Sequence, residues 1–417
     1  MKEVKINKNP IIIENNNFQT IQINVLYPYQ KEEKNLAKDI ILPSMLMYIN
    51  NDYPTEKEFS KALKERFILK LHSFPTTIGT TNYLTFSLTI PDKKSLKQDF
   101  IEEQIKFLHD TIYNPKIENN GFLPFEVERE LKNLKLLIDN INKSFNPYLN
   151  YKIKKLVDTE GLLSSNIKDH EEQLKDITPK NLYKYYQEKV INNNPLIFIF
   201  GDIKNTNIEN IIKKHFPIKE KLTLKTDYTH YLTPQRTIPK EITEEKEWKD
   251  SALSFIYKIK DMKKEDNITI ELICLLLSSL SSRLLDKKLR DEYNLVYGTQ
   301  VTYNLNFGIF IIVAYINKDN KDLAKEKILE VMNELKEKEL ITPLIEKIKE
   351  RKRINLIKTL DKKQVLLGDY MYKVLGIDDT NKENYEKLKK LKASDVLELL
   401  NRFNLDTIYF LKEQDYE

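Results

Sequence analysis

The sequence predicts an α+β protein made of two tandem copies of one unit, each a mostly antiparallel sheet with helices on one face. Three observations predict it. One order of elements occurs twice, with equivalent landmarks about 200 residues apart. Consecutive strand patterns are joined by turns, which suits antiparallel neighbours better than a doubly wound sheet. The chain is 417 residues long and 41% apolar, enough for two or three ordinary domains with packed cores.

In the first copy, "FQTIQINVLYP" (18–28) alternates as a strand. Two helical patterns follow, "NLAKDIILPSMLMYI" and "EKEFSKALKERF". "LKLHSFPTTIGTTNYLTFSLTIP" (69–91) reads as two strands around a turn, and a helix is expected over about 95–113. "FLPFEVERELKNLKLLIDNINK" gives a further long helix. "PLIFIFGDI" (195–203) is a continuous apolar run, the mark of a strand buried on both faces, and "NIENIIKKHF" closes the copy as a helix. In the second copy, "DSALSFIYKI" (250–259) is a strand. Residues 267–293 read as one long amphipathic helical stretch, and 295–316 as a strand pair. Helices follow over about 319–337 and 342–363, and "LDTIYFLK" (405–412) ends the copy as a strand. The copies are assigned to 1–216 and 246–417. Between them 217–245, rich in Thr, Pro and Lys with no apolar period, reads as an extended linker.

Composition excludes several functions. No apolar run is long enough for a membrane span, and the three-residue apolar run near the N-terminus is too short for a signal-peptide core, so a cytoplasmic protein is expected. The net charge of +5 is a small difference between 68 basic and 63 acidic residues. The one basic run (347–363) reads as a solvated helix face, and no nucleic-acid partner is expected. Eight glycines form neither G-x-G-x-x-G nor G-x-x-x-x-G-K. The single cysteine, Cys274, lies among apolar neighbours and reads as buried and inert. A Lys-, Asn- and Ile-rich composition is that of an AT-rich bacterial genome.

The catalytic repertoire is thin. The five histidines (His72, His109, His170, His215, His230) form no H-E-x-x-H, H-x-x-E-H or H-x-H spacing, so no metal site is expected on this chain. No G-x-S-x-G elbow exists. What remains is "SRLLDKKLRDEYNLVYG" (282–298), with Arg290 and Tyr297. An arginine offers a fixed fork of donors and a tyrosine one hydroxyl, a pair suited to gripping a peptide carbonyl and a developing oxyanion. On the residues alone, the better reading is that Arg290 closes a helix and Tyr297 packs in a strand.

The ordered set of elements, the duplication, and Ser282, Arg283, Leu284, Leu289, Arg290, Asp291, Leu295 and Tyr297 together resemble the insulinase/pitrilysin zinc metallopeptidases, the inverzincins. "YNPKI" followed by "FLPFEVERELKNLKLLIDNINKSFNPY", and "ITPKNLYKYYQEKVINNNPLIFIFGDI" (177–203), resemble the later parts of that family's first repeat. The resemblance implies the mitochondrial-processing-peptidase/LuxS-like metallohydrolase fold. In active members the first helix carries H-x-x-E-H and a later helix supplies a glutamate ligand. Here those positions fall on Ile40, Pro43, Ser44 and, to within a turn, Lys135. None binds zinc as the family's ligands do, so the first repeat carries a degenerate zinc motif and catalysis by this chain alone is not expected. The Arg290/Tyr297 pair, by contrast, is retained. A chain of this length resembles one subunit of the family's bacterial two-subunit pairs, specifically the partner without H-x-x-E-H. The implied function is a non-catalytic, substrate-binding subunit of a heterodimeric zinc peptidase. Zinc would reside on an H-x-x-E-H partner, a peptide would be the substrate, and Arg290 and Tyr297 would complete the chamber. The alternative implied is a proteolytically inactive peptide-binding scaffold or assembly protein of the same fold.

Overall fold

The computed structural model describes residues 2–78, 81–96, 99–158, 161, 163–204, 206–226, 229–234, 236–280 and 282–414. The first half of the chain runs β1 (Lys2–Ile6), β2 (Ile11–Glu14), β3 (Thr20–Gln30), α1 (Leu36–Met45), α2 (Glu56–Glu65), β4 (Lys70–Ile78), β5 (Thr81–Pro91) and α3 (Ile101–Tyr113). It continues with β6 (Ile117–Glu118), β7 (Gly121–Phe122), α4 (Pro124–Lys143), α5 (Phe145–Val157), α6 (Gln173–Asp176), α7 (Pro179–Tyr186), β8 (Leu196–Gly201), α8 (Ile208–His215) and β9 (Leu222–Thr226). The second half runs β10 (Lys240–Lys246), β11 (Ser251–Ile259), α9 (Asn267–Ser278), α10 (Leu284–Asp286), β12 (Val296–Asn304) and β13 (Ile309–Ile316). It ends with α11 (Lys321–Glu334), α12 (Lys338–Thr359), α13 (Lys363–Val374), α14 (Asn381–Leu388), α15 (Ala393–Leu400) and β14 (Phe403–Glu413).

Local chemistry sets several of these boundaries. Thr55 opens α2 with a reciprocal cap: its Oγ1 accepts from the Glu58 amide (3.2 Å) and the Glu58 carboxylate accepts from the Thr55 amide (3.1 Å). Thr178 and Asn181 cap α7 in the same way, with Pro179 at the first helical position.

The two halves build five-stranded sheets of one topology, β2-β8-β3-β5-β4 and β10-β14-β11-β13-β12. In each the outermost pair (β2 with β8, β10 with β14) is parallel and the other pairs are antiparallel. The predicted strand pair at 69–91 is β4 and β5; part of its predicted turn, 79–80, lies outside the described residues.

The chain divides into two compact units. The first comprises 1–140, 165–228 and 363–378, the second 141–164, 229–362 and 379–417. Each unit therefore takes one helix from the opposite half of the sequence. The reason lies in the strands. β8 (LIFIFG) is buried along its whole length, so both faces of its sheet need cover. In the first unit one face (Ile21, Ile23, Phe86, Leu88, Ile197, Ile199) packs on α1, α3, α4 and α7. The other (Leu26, Tyr83, Phe198, Phe200) meets Leu367 and Leu375 at α13. In the second unit Leu253, Phe255, Phe310 and Ile312 pack on α9, α11, α12 and α15. The reverse face (Ala252, Ile256, Tyr409, Leu411) is covered by Tyr148, Leu149, Ile153 and Val157 of α5. The predicted grouping of helices on one face thus gains a single covering helix on the other.

Two further readings are refined. The segment 217–245 is extended, but part of it is paired: β9 runs antiparallel to β1, and β10 forms the parallel edge on β14. Residues 227, 228 and 235 of that segment lie outside the described residues. The single helical stretch expected over 267–293 is broken. α9 ends at Ser278, and Arg283 adopts a left-handed conformation (φ +47°) before the chain re-enters a helix. The serines provide the break. Ser278 Oγ donates to the Cys274 carbonyl and Ser282 Oγ to the Leu275 carbonyl, both at 2.8 Å, competing with continued helix hydrogen bonding. No helix among the described residues is long and apolar enough to cross a membrane.

Candidate functional site

The four positions that the family resemblance sets opposite its zinc-site residues, Ile40, Pro43, Ser44 and Lys135, lie in the first unit. Ile40, Pro43 and Ser44 sit on α1, with Ile40 half-buried and Pro43 buried. Pro43 has no amide to donate to the helix, and its carbonyl accepts from Ser73 Oγ of the edge strand β4 at 2.8 Å. Lys135, on α4, pairs with Glu171 and, at 3.5 Å, with Asp139. These positions offer a hydrocarbon, a saturated pyrrolidine ring, a hydroxyl and an ammonium cation. Zinc needs imidazole, thiolate or carboxylate donors, so this set does not fit it. Among the described residues no cluster of His, Cys, Asp and Glu is arranged to hold a metal.

Around this helix the fold keeps ionisable groups that sequence spacing does not signal. Asp39 is buried and accepts from Asn82 Nδ2 (2.7 Å) and from the Tyr185 hydroxyl. Burial pushes its carboxyl up to about 6, against the opposing pull of the hydrogen bonds from Tyr185 and Tyr29 and of the Lys189 charge. On α4, Arg129 contacts Glu56 (2.6 Å), Glu130 (3.0 Å) and Glu126 (3.7 Å), with its guanidinium 4.6 Å from the Tyr48 ring centroid. Burial raises Glu126 to about 7, partly offset by Arg129. The histidines are only partly dispersed. His109 and His215, far apart in sequence, have ring centroids 6.1 Å apart, with His109 Nδ1 2.9 Å from Asp110.

Arg290 and Tyr297 belong to the second unit, on the corner that leads from helix to edge strand. Residues Lys287–Glu292 form a π-helical turn continuing α10, a widened geometry that recurs at functional sites. Leu285 and Leu289 are fully buried and anchor this turn, leaving Arg290 on its outer side, where Nε meets Asp291 Oδ1 at 3.1 Å. The chain then enters β12. Val296 is opposite Ile316 and Gly298 opposite Tyr315, so Tyr297 is the extra residue of a β-bulge. Bulges re-aim side chains, and Tyr297 is 74% exposed, which overrides the reading that it packs within a strand. Thr299 Oγ1 donates to Asp286 Oδ1 (2.7 Å), tying strand to helix across the corner. The arginine fork and the phenol therefore both lie beside an edge of β12 that no described strand pairs.

The first unit also holds a cavity of about 180 Å³ between the sheet face and α13. Gln22, Asn24, Ser87 and Gln364 make a side-chain network on its wall, and His72 stacks on Phe74 at 5.5 Å. This cavity depends on the distant α13, so no local motif announces it.

Comparison with known proteins gives this geometry a context. Residues 176–351 match the family model described as the peptidase M16 inactive domain. The protein from Bacillus subtilis (strain 168) described as the probable inactive metalloprotease YmfF is 21% identical over 408 residues, 96% of this chain and 95% of its own. Among solved structures, a conserved protein from Enterococcus faecalis V583 superposes with a TM-score of 0.85 at 19% identity, covering 97% of this chain and 96% of that one. The peptidase M16 inactive domain from Pseudomonas fluorescens superposes with a TM-score of 0.73 at 11% identity, covering 97% and 96%.

Proposed function

We propose that this chain, which has the two-halved fold of the M16 peptidases and is similar along its length to a protein described as a probable inactive metalloprotease, is the substrate-binding subunit of a two-subunit zinc peptidase. Its architecture is that of a non-catalytic, peptidase-like scaffold. One contrast supports the finer reading. On this reading the zinc-motif positions Ile40, Pro43, Ser44 and Lys135 hold groups that do not suit zinc, whereas Arg290 and Tyr297 lie at the start of the β12 edge that no described strand pairs.

The chemistry follows from the donors. A peptide in extended form adds to the edge of β12 through main-chain hydrogen bonds. Arg290 and the Tyr297 hydroxyl then direct N–H and O–H donors at the carbonyl oxygen of the bond to be cut. As that oxygen gains negative charge during attack, these donors bind it more strongly than in the ground state. The hydrolytic zinc belongs to a partner subunit carrying H-x-x-E-H, and this reading assigns the pair to the bacterial cytoplasm.

The test is to mix this chain with an H-x-x-E-H homologue encoded in the same genome and measure peptide cleavage. The mixture is expected to cleave where neither chain does alone. Arg290→Ala and Tyr297→Phe should each lower kcat/KM by about 10- to 100-fold, the range for losing one transition-state donor. Equal cleavage by the homologue without this chain refutes the proposal and favours a scaffold with no proteolytic role.

A further inference from the structure

We propose that the first unit carries a second peptide-docking site, a slot along the free edge of β9 that takes an extended acidic segment as an added strand. β9 pairs with β1 on one edge, and no described strand pairs with its other edge. That edge faces a slot of about 490 Å³, whose opposite wall is the end of β3 and the start of β5.

The register identifies which groups face the slot. Gln30 Nε2, on the opposite wall, donates to the Lys225 carbonyl at 2.9 Å, so the main chain of Lys225 points into the slot. In an antiparallel pair the residues alternate, each directing both its N–H and C=O to one edge. Thr223 therefore presents its own to the slot as well, while Leu222, Leu224 and Thr226 by the same alternation face β1, opposite Ile6, Val4 and Lys2. The Thr223 N–H and C=O and the Lys225 N–H have no slot-side partner among the described residues and are a template for another strand, which displaces Gln30 from the Lys225 carbonyl.

The side chains set the sign of the ligand. Lys219, Lys221 and Lys225 are exposed and line the slot, and none of the residues lining it is acidic. Among the described residues no carboxylate pairs with these three lysines. Thr223 and Lys225 project from the face opposite Leu224, which is buried in the core. Lys221 immediately precedes β9 and Lys225 lies within it, at most roughly 13 Å apart at the rise of a strand. The matching ligand is a segment of at least about five residues with carboxylates at alternate positions, so that its two ends meet Lys221 and Lys225. The main-chain rungs favour a peptide over a polyphosphate or a nucleic acid, which cannot continue a ladder.

The site uses neither Arg290 nor Tyr297 and needs no catalytic partner, so it stands or falls apart from the peptidase reading. The experiment titrates the full chain into a fluorescent peptide alternating Glu and Val, against a Lys–Val peptide and inorganic polyphosphate. Anisotropy should report binding of the acidic peptide alone, weakening with added salt. The double variant Lys221→Glu/Lys225→Glu should weaken it at least tenfold. Thr223→Pro should abolish it while leaving thermal unfolding unchanged, because the amide it removes faces the slot and not β1. Three results overturn the proposal. Polyphosphate competing fully with the peptide, with Thr223→Pro inert, would make the slot a general anion site. Equal binding of both peptides would remove the role of charge. No binding at all would leave the lysines as guards against edge-to-edge aggregation.

Discussion

Glu126 offers a quantitative check on how α4 is held. Its side chain is 3% exposed in the first turn of α4, with Glu56 and Glu130 sharing the nearby Arg129. Burial raises its carboxyl from the ordinary 4.5 to about 7 in the folded chain. Below pH 4.5 the carboxyl is protonated whether the chain is folded or not, and it contributes no pH dependence. Between 4.5 and 7 the folded chain keeps a proton that the unfolded chain has released, so stability falls as pH rises. Above 7 the buried carboxylate imposes its full cost. The gap from 4.5 to about 7, at about 1.36 kcal/mol per pH unit, bounds that cost at about 3 kcal/mol. Glu126→Gln keeps the shape and removes the charge. It should match the parent at pH 4.5 and exceed it at pH 8 by about 1–3 kcal/mol, or several degrees in Tm for a unit of this size. Differential scanning calorimetry at the two pH values reads this directly. If the variant and the parent differ equally at both, Glu126 is not the buried carboxyl described here.

Three other outcomes follow. Gly368 lies inside α13, and a Cβ there would meet nothing within 4 Å; Gly368→Ala should stabilise α13 by about 0.5–1 kcal/mol, seen as slower amide exchange across 363–374. Gly201 ends β8 at φ +146°, where a Cβ would come within 2.8 Å of the Thr20 carbonyl oxygen; Gly201→Ala should cost at least about 1–3 kcal/mol in thermal unfolding. Metal analysis of the purified chain should find no stoichiometric zinc, and zinc held tightly by this chain with matching peptide turnover would overturn the assignment of Ile40, Pro43, Ser44 and Lys135.

Periodicity and turn chemistry are written in consecutive residues. The alternation of "FQTIQINVLYP", the unbroken apolar run of "PLIFIFGDI" and the repeated order of elements were therefore legible without coordinates, as was the absence of H-x-x-E-H. The same holds for Arg290 and Tyr297 as a suggestive pair, though not for their setting. The bulge that exposes Tyr297 is a register shift between β12 and β13, a property of two strands and not of either sequence. The break after Ser278 is written in Ser278 and Ser282, but an apolar stripe running past them obscures it.

What the sequence determined by itself was which segments form strands and helices, that the unit is duplicated, and that no H-x-x-E-H spacing occurs. Tertiary structure decided which segments cover the second face of each sheet, α5 in one unit and α13 in the other, and which strand edges stay open. The physical reason is that an apolar stripe requires burial without specifying its partner. Partner choice depends on shape and chain path over hundreds of residues, and the cavity under α13 and the slot beside β9 exist only once that choice is made.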